Sequence, residues 1–423
     1  MKISVIGLGY VGLPLACAIA RKTNHSVVGF DLSNEKIEMI KRRECPIDDE
    51  QCCIDLKEVN FDCSNNSEII SDSDVYIVCV PTPVLNDYTP DLEPVKTATS
   101  IISKYLQKNQ VVVIESTINP GVCEEVVKPI LEENTGMLAG VDFDIAHCPE
   151  RINPGDPVWN VYNIPRNIGS TRQEVTKNIA ELYRSFISNE INEMPDLKTT
   201  EATKIIENTF RDINIAYVNE LAKSFDVLGI DLVTVIKGAS NKPFAFMPHY
   251  PSCGVGGHCI PVDPYYLIER AKKSGFDHKY LKLAREINNS MPNYTIDLLT
   301  FGLNEFEKSV KGTKIALLGM SYKANVGDIR ESPSIKIKEL LLKSGADLII
   351  YDPYFPEICT VNNLNDALKD SFAVIIATDH REFLNINAEL LKNSKVKVII
   401  DGKNCLNKTD FKAAGFYYKG IGH

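Results

Sequence analysis

The sequence predicts an α/β fold of two parallel-sheet domains joined by a long central helix. Three observations carry this expectation. A strand, a glycine-rich turn, a helix and a second strand open the chain. A second strand–glycine unit begins near Gly312, and the run from Thr199 to about Leu228 between them has helical periodicity. A chain of 423 residues is long for a single core. The expected division is 1–196, 197–308 and 309–423, the middle piece being helical.

Lys2–Ile6 is β-branched and apolar, a buried first strand by pattern. It runs into Gly7-Leu8-Gly9-Tyr10-Val11-Gly12 and then a helical segment with Pro14 in its first turn. Ser26–Phe30 is the second strand, ending in Asp31. Strand, G-x-G-x-x-G, helix, strand and acid make a dinucleotide fingerprint of Rossmann-like type. The glycines allow a tight turn and close approach of a pyrophosphate, and uncapped N–H groups at the helix start meet the phosphates. A carboxylate at Asp31 selects NAD by pairing with the ribose hydroxyls and repelling the extra phosphate of NADP.

Further strands are expected at Val75–Val80, Val111–Glu115 and Phe143–Cys148. Ligands of open α/β sheets sit beyond the carboxyl ends of the strands. Thr82 and Thr117, in the turns that follow two of these strands, are therefore candidate donors, although both also suit simple turn formation. The polar run 149–155, with Glu150 and Arg151, is a candidate substrate loop.

In the central helix, Ile205, Ile206, Phe210, Ile213, Tyr217, Leu221 and Phe225 form an apolar series, with Thr199 or Thr200 as the cap. Glu201, Lys204, Asn208, Arg211 and Asn214 recur at helical intervals beside it. A solvated face is the ordinary fate of such residues. Lys204 and Asn208, one turn apart, could instead hold a water and an oxyanion together. A long helix between two sheets is also a natural homodimer element.

The stretch 254–267 places three glycines before Cys259, with Asp263 four residues on. Such glycines permit positive φ and close ligand approach, and Pro261 and Pro264 stiffen the exit. A cysteine held there is accessible and fixed, as a nucleophile must be. Helical segments follow at Leu281–Asn289 and Ile296–Phe306. The second strand–glycine unit, Gly312–Gly319, is then paired with a strand ending in Asp352, and strands at Ala373–Ala377 and Val396–Asp401 complete it. Its turn lacks the full dinucleotide pattern.

Composition narrows the function. A formal net charge of −10 argues against a nucleic-acid binder and offers no basic face to a membrane. No run approaches the ~18 apolar residues of a span. The start of the chain lacks a signal-peptide pattern, so the twelve cysteines read as cytoplasmic thiols. Cys45, Cys52, Cys53 and Cys63 lack paired metal-ligand spacing, and no metal is expected.

Several motifs occur together in one order: Gly-Leu-Gly-Tyr-Val-Gly, Pro-Thr-Pro, Ser-Thr-Ile-Asn-Pro-Gly and Cys-Pro-Glu-Arg-Ile-Asn-Pro-Gly-Asp. Glu-Asn-Thr-Phe-Arg-Asp-Ile-Asn, Gly-Val-Gly-Gly-His-Cys-Ile-Pro-Val-Asp-Pro and Asp-Ile-Arg-Glu-Ser-Pro follow. Along its whole length the chain resembles the UDP-glucose/GDP-mannose dehydrogenase family. The resemblance implies a twofold NAD-dependent oxidation of C6 of a UDP-sugar, in which Cys259 carries the thiohemiacetal and thioester. It implies that Lys204 and Asn208 stabilise the C6 oxygen, that Asp263 assists proton transfer, that Glu150 serves thioester hydrolysis and that Thr117 orders water. Gly7, Gly9, Tyr10, Val11, Gly12, Asp31, Lys36, Thr82, Thr117 and Arg330 fall on cofactor positions. Arg151, Lys204, Asn208, Arg211, Asn214, Gly256 and Lys323 fall on substrate positions.

Within the family, the cysteine motif resembles enzymes of UDP-N-acetylhexosamines. The 149–156 motif is closer to the glucosamine/galactosamine branch than to the mannosamine one, and a role in surface polysaccharide synthesis is implied. UDP-ManNAc, UDP-glucose or GDP-mannose oxidation, an ordinary one-step hydroxyacid dehydrogenase and a non-catalytic NAD-binding regulator are the alternatives. Two positions depart from the pattern. Cys253 stands where relatives have proline or glycine and could alter loop rigidity or pair oxidatively with Cys259, and Lys403 stands where arginine is common.

Overall fold

Eight short strands build the first sheet: β1 (Lys2–Ile6), β2 (Ser26–Phe30), β3 (Asp62–Ser64), β4 (Val75–Val78), β5 (Val111–Ile114), β6 (Asp144–His147), β7 (Arg166–Ser170) and β8 (Ile191–Glu193). Their order is β3-β2-β1-β4-β5-β6-β7-β8, and only the β6–β7 pairing is antiparallel. β4 and β6 are buried at every position, as expected of central strands covered on both faces. The order of the first six is that of a doubly wound dinucleotide-binding sheet. The computed structural model describes residues 1–85, 89–152 and 158–423.

A second sheet contains β9 (Lys314–Leu318), β10 (Asp347–Tyr351), β11 (Ala373–Ile376), β12 (Val398–Asp401) and β13 (Tyr417–Gly420), in the order β10-β9-β11-β12-β13. All its pairings are parallel. The fold is thus α/β with two Rossmann-like parallel sheets and a long helix between them in sequence.

The chain forms two compact units, Met1–Glu207 with Tyr265–Phe276, and Asn208–Pro264 with Asp277–His423. The boundary falls inside the central helix, Leu197–Leu228. That helix begins before Thr199: Asp196 Oδ1 accepts the Thr199 N–H at 2.7 Å, so the aspartate does the capping expected of a threonine.

The two helices expected between residues 281 and 306 are one, Lys279–Asn304, with Pro292 inside it. Proline deletes the bond that would have gone to the Asn288 carbonyl. Burial of Met291, Pro292, Thr295 and Leu298 holds the two halves in line despite this loss. The Thr295 hydroxyl adds a bond to the Met291 carbonyl at 2.9 Å. Among the described residues, no helix is long and apolar enough to cross a membrane.

Candidate active site

The glycine turn after β1 is shaped by three different constraints. Gly7 has φ +92°, and a Cβ there would lie 2.7 Å from the Cys79 carbonyl oxygen. At Gly12 a Cβ would lie 1.9 Å from the Gly7 oxygen. Gly9 faces open space, with nothing within 4 Å of where its Cβ would be. Only Gly9 therefore leaves room for something outside the chain. The helix Gly12–Lys22 starts without a side-chain cap on Val11 and without an acid in its first turn. Tyr10 is exposed beside it.

Asp31, at the end of β2, accepts the Leu8 N–H at 2.8 Å and the Ser33 N–H at 2.9 Å, and Lys36 Nζ lies 3.7 Å from its Oδ2. An acid is thus fixed against the glycine turn. An open cradle, uncapped N–H groups and a neighbouring carboxylate fit the pyrophosphate and ribose of NAD.

The loops after the next strands belong to the same unit. The Thr82 carbonyl accepts the Tyr266 hydroxyl at 2.5 Å. Ser116 Oγ donates to the Val80 carbonyl at 2.7 Å, tying the half-buried Thr117 segment to its neighbour. Farther along that segment, the Gly121 and Cys123 N–H groups bond the two oxygens of Glu201 at 2.5 and 2.8 Å. Glu201, expected on a polar stripe with Lys204, is fully buried because it caps this turn.

Glu150 Oε1 accepts the N–H groups of Arg151 and Ile152, both at 2.5 Å, and its Oε2 lies 2.8 Å from Arg166. Arg151 pairs with Glu207 at 2.8 Å and donates to the Pro165 carbonyl at 3.0 Å. Its guanidinium therefore already has protein partners. Asn153, Pro154 and Gly155 of the expected substrate loop lie outside the described residues.

The second unit carries the cysteine loop. Asn208 Nδ2 donates to Asp263 Oδ2 at 2.6 Å, and both residues are buried. Along the central helix, Asn208 lies one turn beyond Lys204. The Cys259 carbonyl accepts the Val262 and Asp263 N–H groups at 3.1 and 2.8 Å, so the thiol sits directly before the helix Asp263–Lys273.

The glycines ahead of the cysteine are explained by neighbours from the same unit. Gly254 has φ +134°, and a Cβ would meet Pro333 at 3.0 Å. Added carbons at Gly256 and Gly257 would meet Tyr322 at 2.7 and 2.9 Å. Tyr322 thus fills the space that a side chain at Gly256 or Gly257 would take. Gly257 N donates to the Arg330 carbonyl at 3.0 Å. The loop base is pinned through Ser252 N to Asn219 Oδ1 at 2.9 Å, and Asn219 donates to Asn288. Asn288 and Arg285 both donate to Asp212 Oδ1.

Arg330 forks onto Asp328, which holds its guanidinium charged. The Cys259 thiol is close enough to add to that effect. Lys323 follows Tyr322 in the same packed segment. Arg211 is exposed, whereas Asn214 spends its amide on the Phe210 carbonyl one turn back, at 2.7 Å. That bond turns Asn214 onto its own helix.

Cys253 is buried, and its Sγ lies 3.5 Å from the Ala377 carbonyl oxygen. Burial pushes its thiol up, with Lys403 acting in the opposite direction. No disulfide joins Cys253 to Cys259, and none of the twelve cysteines is in a disulfide among the described residues. The two departures from the family pattern, Cys253 and Lys403, are neighbours in space. Asp352 directly follows β10 in the second sheet. It is fully buried and accepts the Met320 and Ser321 N–H groups and His380 Nε2.

Sequence reasoning missed Arg166 and underrated Glu115 and Glu201. A charge inside an apolar strand or helix face is the signal that would have found them. Asn219 and Asn288 carry no comparable mark, because mid-helix asparagines are common on exposed faces.

Family models match all three parts of the chain. They describe the UDP-glucose/GDP-mannose dehydrogenase family NAD-binding domain over residues 1–187, its central domain over 198–290 and its UDP-binding domain over 316–408. The chain belongs to the UDP-glucose/GDP-mannose dehydrogenase family. It is an NAD-dependent nucleotide-sugar dehydrogenase. A UDP-D-ManNAc dehydrogenase structure from Pyrococcus horikoshii is similar with a TM-score of 0.94 and 36% identity, over 100% of this chain and 99% of that one. An NDP-N-acetyl-D-galactosaminuronic acid dehydrogenase structure from Methanosarcina mazei has a TM-score of 0.89 and 33% identity, over 100% and 95%. A UDP-N-acetyl-D-glucosamine 6-dehydrogenase from Pseudomonas aeruginosa is 35% identical over 93% of each chain.

Proposed function

We propose that this dehydrogenase oxidises C6 of a UDP-N-acetylhexosamine, UDP-N-acetylglucosamine or UDP-N-acetylgalactosamine, twice to the 6-carboxylate. The observation that carries the reading is the buried Asn208–Asp263 bond, with Asp263 four residues after Cys259 on a glycine loop braced by Tyr322 and Pro333. NAD, when bound, supplies the hydride acceptor for both oxidations. Gly9 and the uncapped helix start receive its pyrophosphate, and Asp31 its ribose. Thr82, Lys36 and Arg330 complete the cofactor contacts.

Cys259 attacks the C6 aldehyde to give a thiohemiacetal, which the second oxidation converts to a thioester. Lys204 and Asn208 stabilise the charge that develops on the C6 oxygen. Asp263 moves protons, Thr117 orders the water and Glu150 takes its proton during hydrolysis. Arg211, Lys323 and Arg151 hold the nucleotide sugar, Arg151 by exchanging Glu207 for it. Residues 1–196 serve NAD, 197–308 carry the thiol and 309–423 serve the UDP group. The enzyme works as a homodimer in the cytoplasm, in keeping with its twelve thiols, and feeds surface polysaccharide synthesis.

NADH released per sugar consumed tests this, using UDP-N-acetylglucosamine, -galactosamine and -mannosamine with UDP-glucose and GDP-mannose. The mannosamine sugar is included because the name of the Pyrococcus relative favours it. Two NADH and a uronate from an acetamido sugar are expected. Cys259→Ser is expected to lose at least about 10³-fold in uronate formation. One NADH with released aldehyde would overturn the thioester route, and turnover confined to UDP-glucose would overturn the substrate.

A further inference from the structure

Below Glu150 lies a fully buried ionic group that the roles above leave unused. Arg166, in β7, and Glu115, at the end of β5, are both completely buried. The guanidinium faces two carboxyls, with NH2 at 2.8 Å from Glu150 Oε2 and NH1 at 3.5 Å from Glu115 Oε2. Neither contact has good hydrogen-bond geometry, and both carboxylate oxygens lack any other hydrogen-bond partner. Tyr183, from the helix Gln173–Arg184, donates its hydroxyl to the other oxygen of Glu115. Among the described residues, the remaining titratable groups facing Glu115 are the thiols of Cys79 and Cys148.

One cation cannot fully neutralise two buried carboxylates. Glu150 is the better served, because two backbone N–H groups also point at it. Glu115 is the member that gives up its charge. Burial, with Arg166 opposing it and Glu150 reinforcing it, pushes Glu115 up to about 7.

We propose that Glu115 is a positioning residue for Glu150, setting through the shared Arg166 how firmly that guanidinium holds the carboxylate assigned to thioester hydrolysis. The inference rests on that assignment. An ionised Glu115 draws Arg166 partly to itself and frees Glu150 Oε2 for the attacking water. A neutral Glu115 leaves Arg166 wholly to Glu150 and ties that oxygen up. In the step concerned, water oxygen attacks the thioester carbonyl, its proton goes to Glu150, the C–S bond breaks and Cys259 leaves as thiolate. Hydrolysis therefore rises as Glu115 loses its proton, from the acid side of neutrality to the alkaline side.

The test is Glu115→Gln, which keeps the volume and the Tyr183 acceptor. Single-turnover hydrolysis of the acyl-Cys259 enzyme, followed by quenching and mass measurement, is read from pH 6 to 8.5. The wild type should show a rise near neutrality. The variant should match it at pH 6 but run slower at pH 8, by on the order of 3–10-fold, with acyl-enzyme accumulating. Glu115→Asp should restore the rise. If Glu115→Gln folds poorly, Tyr183→Phe takes its place; it removes a bond to the ionised form and should move the rise to higher pH.

An unchanged profile in a folded Glu115→Gln protein overturns the proposal. Infrared titration of the resting enzyme separates this from failure of the underlying reading. A protonated-carboxyl band that disappears near neutrality should be present in the wild type and absent from Glu115→Gln, whether or not a thioester forms. If that band is missing or unaltered, the coupling itself is wrong. If it behaves as expected but Cys259 is never acylated, the assignment of Glu150 fails, and the proposed role of Glu115 in hydrolysis falls with it.

Discussion

Glycine is required at three places in one turn for three different reasons, and substitution separates them. A methyl group at Gly12 would drive into the Gly7 carbonyl oxygen at 1.9 Å, so backbone must move. Gly12→Ala should cost about 1–3 kcal/mol or more, by the logic of overpacking. At Gly9 the protein leaves a methyl group free space, so Gly9→Ala should melt at the wild-type temperature. The same methyl would stand where the pyrophosphate must approach, and NAD affinity should fall at least about tenfold. Thermal melting beside an NAD titration checks both. A Gly9→Ala protein that binds NAD normally would remove the argument for a cradle there. Sequence spacing marks all three glycines alike; the division of labour among them is readable only from what each missing Cβ would touch.

At the scale of elements, the cysteine loop depends on side chains from two helices far apart in sequence. Asn219 Oδ1 holds Ser252 N, and its amide holds Asn288, which is bonded in turn to Asp212. Asn219→Ala leaves the Ser252 N–H and Asn288 Oδ1 without these partners, at a cost of about 1–3 kcal/mol. The expected signature is a lower kcat with unchanged NAD affinity, since the glycine turn after β1 belongs to the other unit. Equal losses in both would place the damage in the fold as a whole. This brace was illegible in the sequence because nothing in a lone asparagine says which backbone group it serves. Apolar β-branched runs such as β1, β4 and β5 were legible, whereas the short or polar strands β3, β7, β8 and β13 were not. Helix ends were also hard to read. Asp196 displaced Thr199 as the cap, and the gap expected between Leu281–Asn289 and Ile296–Phe306 is closed because local propensity omits the burial that keeps Lys279–Asn304 continuous.

At the scale of the whole molecule, the apolar series on the central helix proves to have two destinations. Of the expected series only Ile205 is buried, beside Ala216, Val218 and Ala222 from outside it, whereas Phe210, Tyr217 and, farther along, Leu228 are 46, 56 and 65% exposed. Residues spaced by seven and eleven return close to the same side of a helix, so these three make one stripe. The Phe210 ring meets His249 edge-on at 6.1 Å, which joins the stripe to a segment that also exposes Phe244 and Met247. The sequence pattern gave the helix but could not divide its apolar residues between core and surface, because both sets obey the same period. Exposed apolar side chains along one face of a helix suit an interface, and this stripe is where the proposed homodimer is tested. The wild type should therefore sediment at twice the 47.1 kDa of one chain. Phe210→Ser with Tyr217→Ser, removing two aromatic anchors worth about 2 kcal/mol each, should weaken association by on the order of 10³-fold and yield a folded monomer at micromolar concentration. A wild type that sediments as one chain would overturn the dimer, and a double variant that remains a dimer would move the interface off this stripe.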